Sequence, residues 1–137
     1  MGKIIVAFAI IPFLLFFMLQ YVVDTTNHYK MTRVNDIVHK SAQTARTTGY
    51  FTPQIISQLK RELAAALYIP ESSVIVTATT TPKYRLDEFD QREMIQYEVK
   101  VPFDQVIAAP SLFGISDTDN RLNYVKKGEV ASEVLMP

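Results

Sequence analysis

The chain has 137 residues, with 14 Lys plus Arg balanced by 14 Asp plus Glu, and no cysteine. This length suits one small domain, and the even charge gives no field to draw nucleic acid, so no nucleic-acid partner is expected. The lack of cysteine excludes a disulfide frame, a thiol nucleophile and a thiolate metal site.

From Ile4 to Val23 the chain is uncharged and largely apolar, with only Gln20 interrupting. As a helix this run reaches ~30 Å, the thickness of a bilayer's hydrocarbon core. It has three readings: a cleaved signal, a plain membrane anchor, or a membrane-stored helix that later packs against copies of itself. A cleaved signal is disfavoured because the run ends in Gln20-Tyr21-Val22-Val23-Asp24 with no small-x-small site. Hydrophobic length alone does not separate the other two. The sparse basic residues on either side leave orientation to a general expectation, which puts the head outside the cell. Pro12 removes a helical hydrogen bond and predicts a kink or loosened turn near residues 8–12.

The apolar run continues without a break into an amphipathic stretch. Met31, Val34, Val38, Ala42 and Ala45 recur at steps of three and four, a stripe that covers the head or a neighbouring subunit. Thr47-Thr48-Gly49 ends this helix, with glycine at its natural C-terminal place. A second helix starts at Thr52 as N-cap and Pro53 as first helical residue. Its apolar face is Ile55, Ile56, Leu59, Leu63, Ala66 and Leu67, with Lys60, Arg61 and Glu62 facing out, and Pro70 stops it.

The period then changes to two. Val74 to Thr80 reads as a strand. Pro82 to Arg92 is charged and turn-like, with Leu86 and Phe89 as apolar anchors. Ile95, Tyr97, Val99, Val101 and Phe103 alternate with polar residues or proline as a half-buried strand. Asp104 to Ile115 is an apolar, proline-containing connection. Arg121 to Lys126 and Glu129 to Met136 read as two further strands joined by a tight turn at Lys127-Gly128, with Gly128 at positive φ. The fold class expected is α+β: a long hydrophobic N-terminal helix, then a head with a second helix on three or four antiparallel strands. The expected divisions are 1–23 as membrane or filament-core segment, 24–49 as the amphipathic continuation, and 50–137 as the head.

The inventory for chemistry is thin. His28 and His39 share a helical face but lie about 16 Å apart along the axis, too far to share a metal ion. Asp117-Thr118-Asp119-Asn120 opens like a calcium loop, but Leu122 and Gly128 stand where glycine and glutamate are required. Asp87, Glu88, Asp90 and Glu93 form an acidic cluster with no partnered histidine. There is no phosphate loop, nucleophile elbow or zinc motif, so neither enzyme activity nor a cofactor is expected.

Contact surfaces remain. Ile4, Ile5, Phe8, Ile11, Pro12, Leu15, Phe16, Met18 and Leu19 are the candidate membrane and subunit-packing residues. A helix apolar on all sides must be surrounded by lipid or by other helices. Met31, Val34, Val38 and Ala42 are the candidates for packing the helix on the head.

Val6-Ala7-Phe8-Ala9-Ile10-Ile11-Pro12, followed by Phe13-Leu14-Leu15, resembles the N-terminal signature of the TadE-like pseudopilins, in the tight-adherence branch of type IV pili. The similarity covers about fifteen residues and the plan of long helix and small head. Two departures stand out: Ala7 replaces the family's glutamate, and the spacer before Pro12 is one residue short. The family's peptidase cleaves after glycine, which makes Gly2 the candidate processing site, although an unprocessed subunit is the expectation here. The resemblance implies a pilus-like extracellular filament of identical subunits, each held in the cytoplasmic membrane until the pilus or secretion assembly machinery takes it up. The alternative is a single-pass, membrane-anchored accessory of a secretion or conjugation machine.

Overall fold

The computed structural model describes residues 2–85 and 93–136. The layout is α+β: two helices and a three-stranded antiparallel sheet. Helix α1 runs from Gly2 to Thr48 and is unbroken at Pro12. Gly49, at φ +90°, ends it by donating its N–H to the Ala45 carbonyl at 2.8 Å. Helix α2, Pro53–Leu67, begins as its caps require, with the Thr52 hydroxyl accepting from the Ile55 N–H at 3.2 Å. It ends at Tyr68, which takes the left-handed conformation at φ 56°, two residues before Pro70.

The sheet has the order β1-β2-β3, with β1 at Ile75–Ala78, β2 at Met94–Asp104 and β3 at Arg121–Ala131. β1 pairs antiparallel with β2, placing Val76 opposite Val99 and Ala78 opposite Tyr97. β1 is shorter than its β-branched run, although Thr79 still donates its N–H to the Gln96 carbonyl. One expectation is corrected outright. Lys127-Gly128 is no turn: β3 runs straight through it as one strand, and Gly128 has no positive φ. The glycine serves a close approach instead, since a Cβ built there would overlap the Tyr97 ring. Residues 132–136 form no strand beyond a single bridge between Arg85 and Leu135.

The chain divides into two compact units. The larger holds 31–102 and 123–137. Its core brings Val34, Val38, Ala42 and Ala45 of α1 together with Phe51, with Leu59, Leu63 and Leu67 of α2, and with Ile95, Val99 and Val101 of β2. Burying each large aliphatic side chain there contributes ~1.5–3 kcal/mol. α2 also packs against β1. The C-terminal segment closes around Gly49: Lys83 donates to the Gly49 carbonyl, the Ser132 hydroxyl donates to the Lys83 carbonyl at 2.7 Å, and Arg46 pairs with Glu133 at 2.8 Å. A side chain at Gly49 would press on the Lys83 carbonyl. The smaller unit holds residues 1–30 and 103–122. The anchors Leu86 and Phe89, and Asp87, Glu88 and Asp90 of the acidic cluster, lie outside the described residues.

Candidate membrane and assembly surface

The first half of α1 is long and apolar enough to cross a membrane, and none of that stretch is buried. Ile4, Ile5, Phe8, Ile11, Leu15, Met18 and Leu19 are all more than half exposed, with Phe8 at 75 % and Met18 at 67 %. Pro12 is exposed as well, and Phe16 is half-buried. The aromatic residues form an edge-to-face series, Phe13 to Phe17 at 4.8 Å and Phe16 to Phe17 at 5.9 Å. Gly2, the candidate processing site, is the first residue of α1.

One face of this segment is occupied. Phe16, Gln20, Val23, Asn27 and Lys30, spaced at four, three, four and three, are half-buried, and Phe103, Gln105, Val106, Ala108 and Phe113 meet residues of this series. Phe16 meets Phe113 edge-on at 5.3 Å. The Gln20 carboxamide grips the loop backbone from both sides. Its Nε2 donates to the Val106 carbonyl at 3.1 Å, and its Oε1 accepts from the Ala108 N–H at 3.0 Å. A second Nε2 hydrogen goes to Asp24 at 2.8 Å, so all the amide's donors are used. Asn27 Nδ2 donates to the Gln105 carbonyl, and the Lys30 ammonium lies 5.9 Å from the Phe103 ring centroid.

Asn120 holds the loop from the other side. It is 5 % exposed, and its Oδ1 accepts from the N–H groups of Val106 and Ile107 at 3.0 and 2.8 Å, while its Nδ2 donates to the Ile107 carbonyl. These bonds brace a turn in which Gln105 has φ 63°. Asp117 and Asn120 line a cavity of about 170 Å³ with Val23 and Pro110. The neighbouring Asp119 carboxylate accepts from the Ser116 hydroxyl at 2.6 Å, closing a polar turn. Among the described residues no three acidic or histidine side chains gather as they would around a metal ion. His28 and His39 are exposed on α1, and His39 lies 3.5 Å from the Gln43 amide.

The helix-on-head residues are in the larger unit: Val34 and Ala42 are fully buried, Val38 is 1 % exposed, and Met31 is half-buried. On the open face of the sheet Glu98 lies between Lys127 at 2.8 Å and Lys100 at 2.9 Å. The hydrogen bond from Lys127, and next that from Lys100, holds its carboxyl below the usual glutamate range. Burial raises the Tyr97 phenol above its ordinary value.

Sequence reasoning missed Gln20 and Asn120 as organisers of this unit. The signals available were a single carboxamide inside an apolar run and a run free of charge from Gln105 to Ser116. Comparison with protein families, with characterised proteins and with solved structures gives no match to this chain. The coarse class rests on the chain itself: an α+β protein with one N-terminal helix fit to span a membrane.

Proposed function

We propose that this chain is a structural subunit of a pilus-like surface filament, held in the cytoplasmic membrane by residues 4–23 and polymerised through packing of those helices. The observation that carries the reading is the exposure of Ile4, Ile5, Phe8, Ile11, Leu15, Met18 and Leu19 on a helix that continues unbroken to Thr48. An apolar helix of this length has to be surrounded, by lipid before assembly and by its own copies afterwards. Burying ~1,500 Å² per subunit at ~25 cal/mol per Å² gives a gross term of tens of kcal/mol relative to water. Lipid offers most of the same gain, so close interlocking of side chains must supply the surplus that drives polymerisation. In this reading the chain carries out no reaction of its own, and its partners are its copies, the membrane and the assembly machinery. Similarity to the TadE-like signature at Val6 to Leu15 supports the reading.

The test is Phe8→Asp and Leu15→Asp. Each places a charge on the exposed apolar surface and should abolish filaments while leaving the amide pattern of 31–85 unchanged. Normal filaments from either variant would refute the proposal. The second reading, a single-pass accessory protein of a secretion or conjugation machine, draws on the lack of any charged side chain along Ile4 to Val23 to set a packing register. It predicts few copies per cell and no polymer.

A further inference from the structure

We infer that the loop from Gln105 to Ser116 dips into the lipid bilayer beside α1, with Leu112 and Phe113 against the acyl chains. The inference rests on the reading of residues 4–23 as the membrane-inserted segment, and it adds a second, non-helical contact with lipid.

Depth along α1 is the first argument. Asp24 is the first charged side chain after Lys3, and Tyr21, exposed beside it, has the amphipathic character of a residue at the membrane-water boundary. With that boundary at Val23, Phe16 lies seven residues further in, ~10 Å along the axis and within the hydrocarbon. Phe113 is in ring contact with Phe16 at 5.3 Å and must share its depth.

Polarity is the second argument, and it follows the same gradient. Gln105 to Ser116 carries no charge, whereas Asp104, Asp117, Asp119 and Arg121 flank it at its two ends. Asp104 and Arg121 pair at 3.0 Å, and Asp117 lines the cavity at the level of Val23. The tip, a short 3-10 turn at Pro110–Phe113, turns Leu112 and Phe113 outward at 74 % and 60 % exposure. Such residues are out of place in water and suited to contact with acyl chains.

Backbone satisfaction is the third. Irregular backbone near hydrocarbon depth is tolerated only where its polar groups are paired. Here the N–H groups of Gln105, Val106 and Ile107 go to Asn120, and that of Ala108 goes to Gln20. Those of Leu112, Gly114 and Ile115 close within the loop, and Pro110 has none to pair, so at least seven of the eleven N–H groups from Gln105 to Ser116 are satisfied within the protein. The lone carboxamide of the apolar run thus has a reason to be there: it supplies a donor and an acceptor to peptide groups that lipid cannot satisfy.

The chain has no cysteine, so single thiols can be introduced without background. Leu112→Cys, Leu14→Cys and Thr118→Cys, each carrying an environment-sensitive fluorophore, are reconstituted as full-length protein in phosphatidylcholine–phosphatidylglycerol vesicles. Quenching by acyl-chain nitroxide lipids is compared with quenching by aqueous iodide. The expected result is lipid quenching at Leu112 comparable to that at Leu14, with Thr118 quenched by iodide alone. Lipid quenching at Leu14 with Leu112 behaving like Thr118 would overturn the inference and leave the anchor standing. Shielding of Leu112 from both quenchers would mean that a neighbouring protein copy covers it, and would also overturn it. Loss of lipid quenching at Leu14 would remove the membrane reading itself, and the inference with it.

Discussion

Replacing Gln20 by Ala removes two of the three side-chain hydrogen bonds that tie the 105–108 backbone to α1, at 3.1 Å to the Val106 carbonyl and 3.0 Å from the Ala108 N–H, and leaves the one from Asn27 to the Gln105 carbonyl. At ~0.5–1.5 kcal/mol net for each bond, the local docking free energy falls by ~1–3 kcal/mol, a roughly 5- to 150-fold rise in the open population. The Ala108 amide reports that population directly by hydrogen exchange in detergent micelles, because it donates to the Gln20 carbonyl oxygen. Its exchange should accelerate by that factor, whereas the amides of Val99 and Val101 in β2 keep their protection. Gln20→Leu retains the bulk and removes the polarity, so it should release Ala108 as fully as Gln20→Ala does. It also makes the helix more apolar, which excludes loss of membrane insertion as the cause. Unchanged Ala108 exchange in both variants would show that packing at Phe16, the Asn27 bond and Asn120 hold the loop without Gln20, and would refute the clamp.

Three further outcomes follow from the larger unit. Gly128→Ala drives a methyl group into the Tyr97 ring and should destabilise the protein by ~1–3 kcal/mol in thermal denaturation, with Tyr97→Ala relieving much of the added penalty in the double variant. Leu63→Ala empties a fully buried site and should cost ~2–5 kcal/mol by denaturant unfolding without affecting the Ala108 amide. The Glu98 carboxyl, held low by Lys127 and Lys100, binds protons less tightly folded than unfolded. Its contribution to stability is therefore present above the ordinary glutamate range and is lost as the pH falls through the lowered folded value. A carbon-detected NMR titration of Glu98 should place its midpoint below the ordinary value of 4.5, and Glu98→Gln should flatten that part of the acid stability profile.

Much of the fold was legible because its signals are local. The three-four stripe of Val34, Val38 and Ala42, the Thr52-Pro53 start of α2 and the alternation of Ile95 to Phe103 each report one face of one element. The expected turn at Lys127-Gly128 failed because glycine has two uses, and only the partner strand decides between them. Tyr97, thirty-one residues away, needs a position without a side chain, so β3 passes through where a turn was expected. Gln20 was legible as an oddity but not as a clamp, since its partners lie 86 and 88 residues along the chain. Asn120 read as part of a polar turn for the same reason: its burial depends on the loop that folds over it. The apolar surface from Ile4 to Leu19 is plain in the sequence because it needs no partner in the chain to be read.

Shearing the cell surface, imaging the released material by electron microscopy and taking the intact mass of its major protein tests the filament account most directly. The account predicts filaments composed of this chain, at full mass if it is unprocessed or lacking Met1-Gly2 if the peptidase acts after glycine. Protein confined to the membrane fraction, with no polymer in the sheared material, would contradict it.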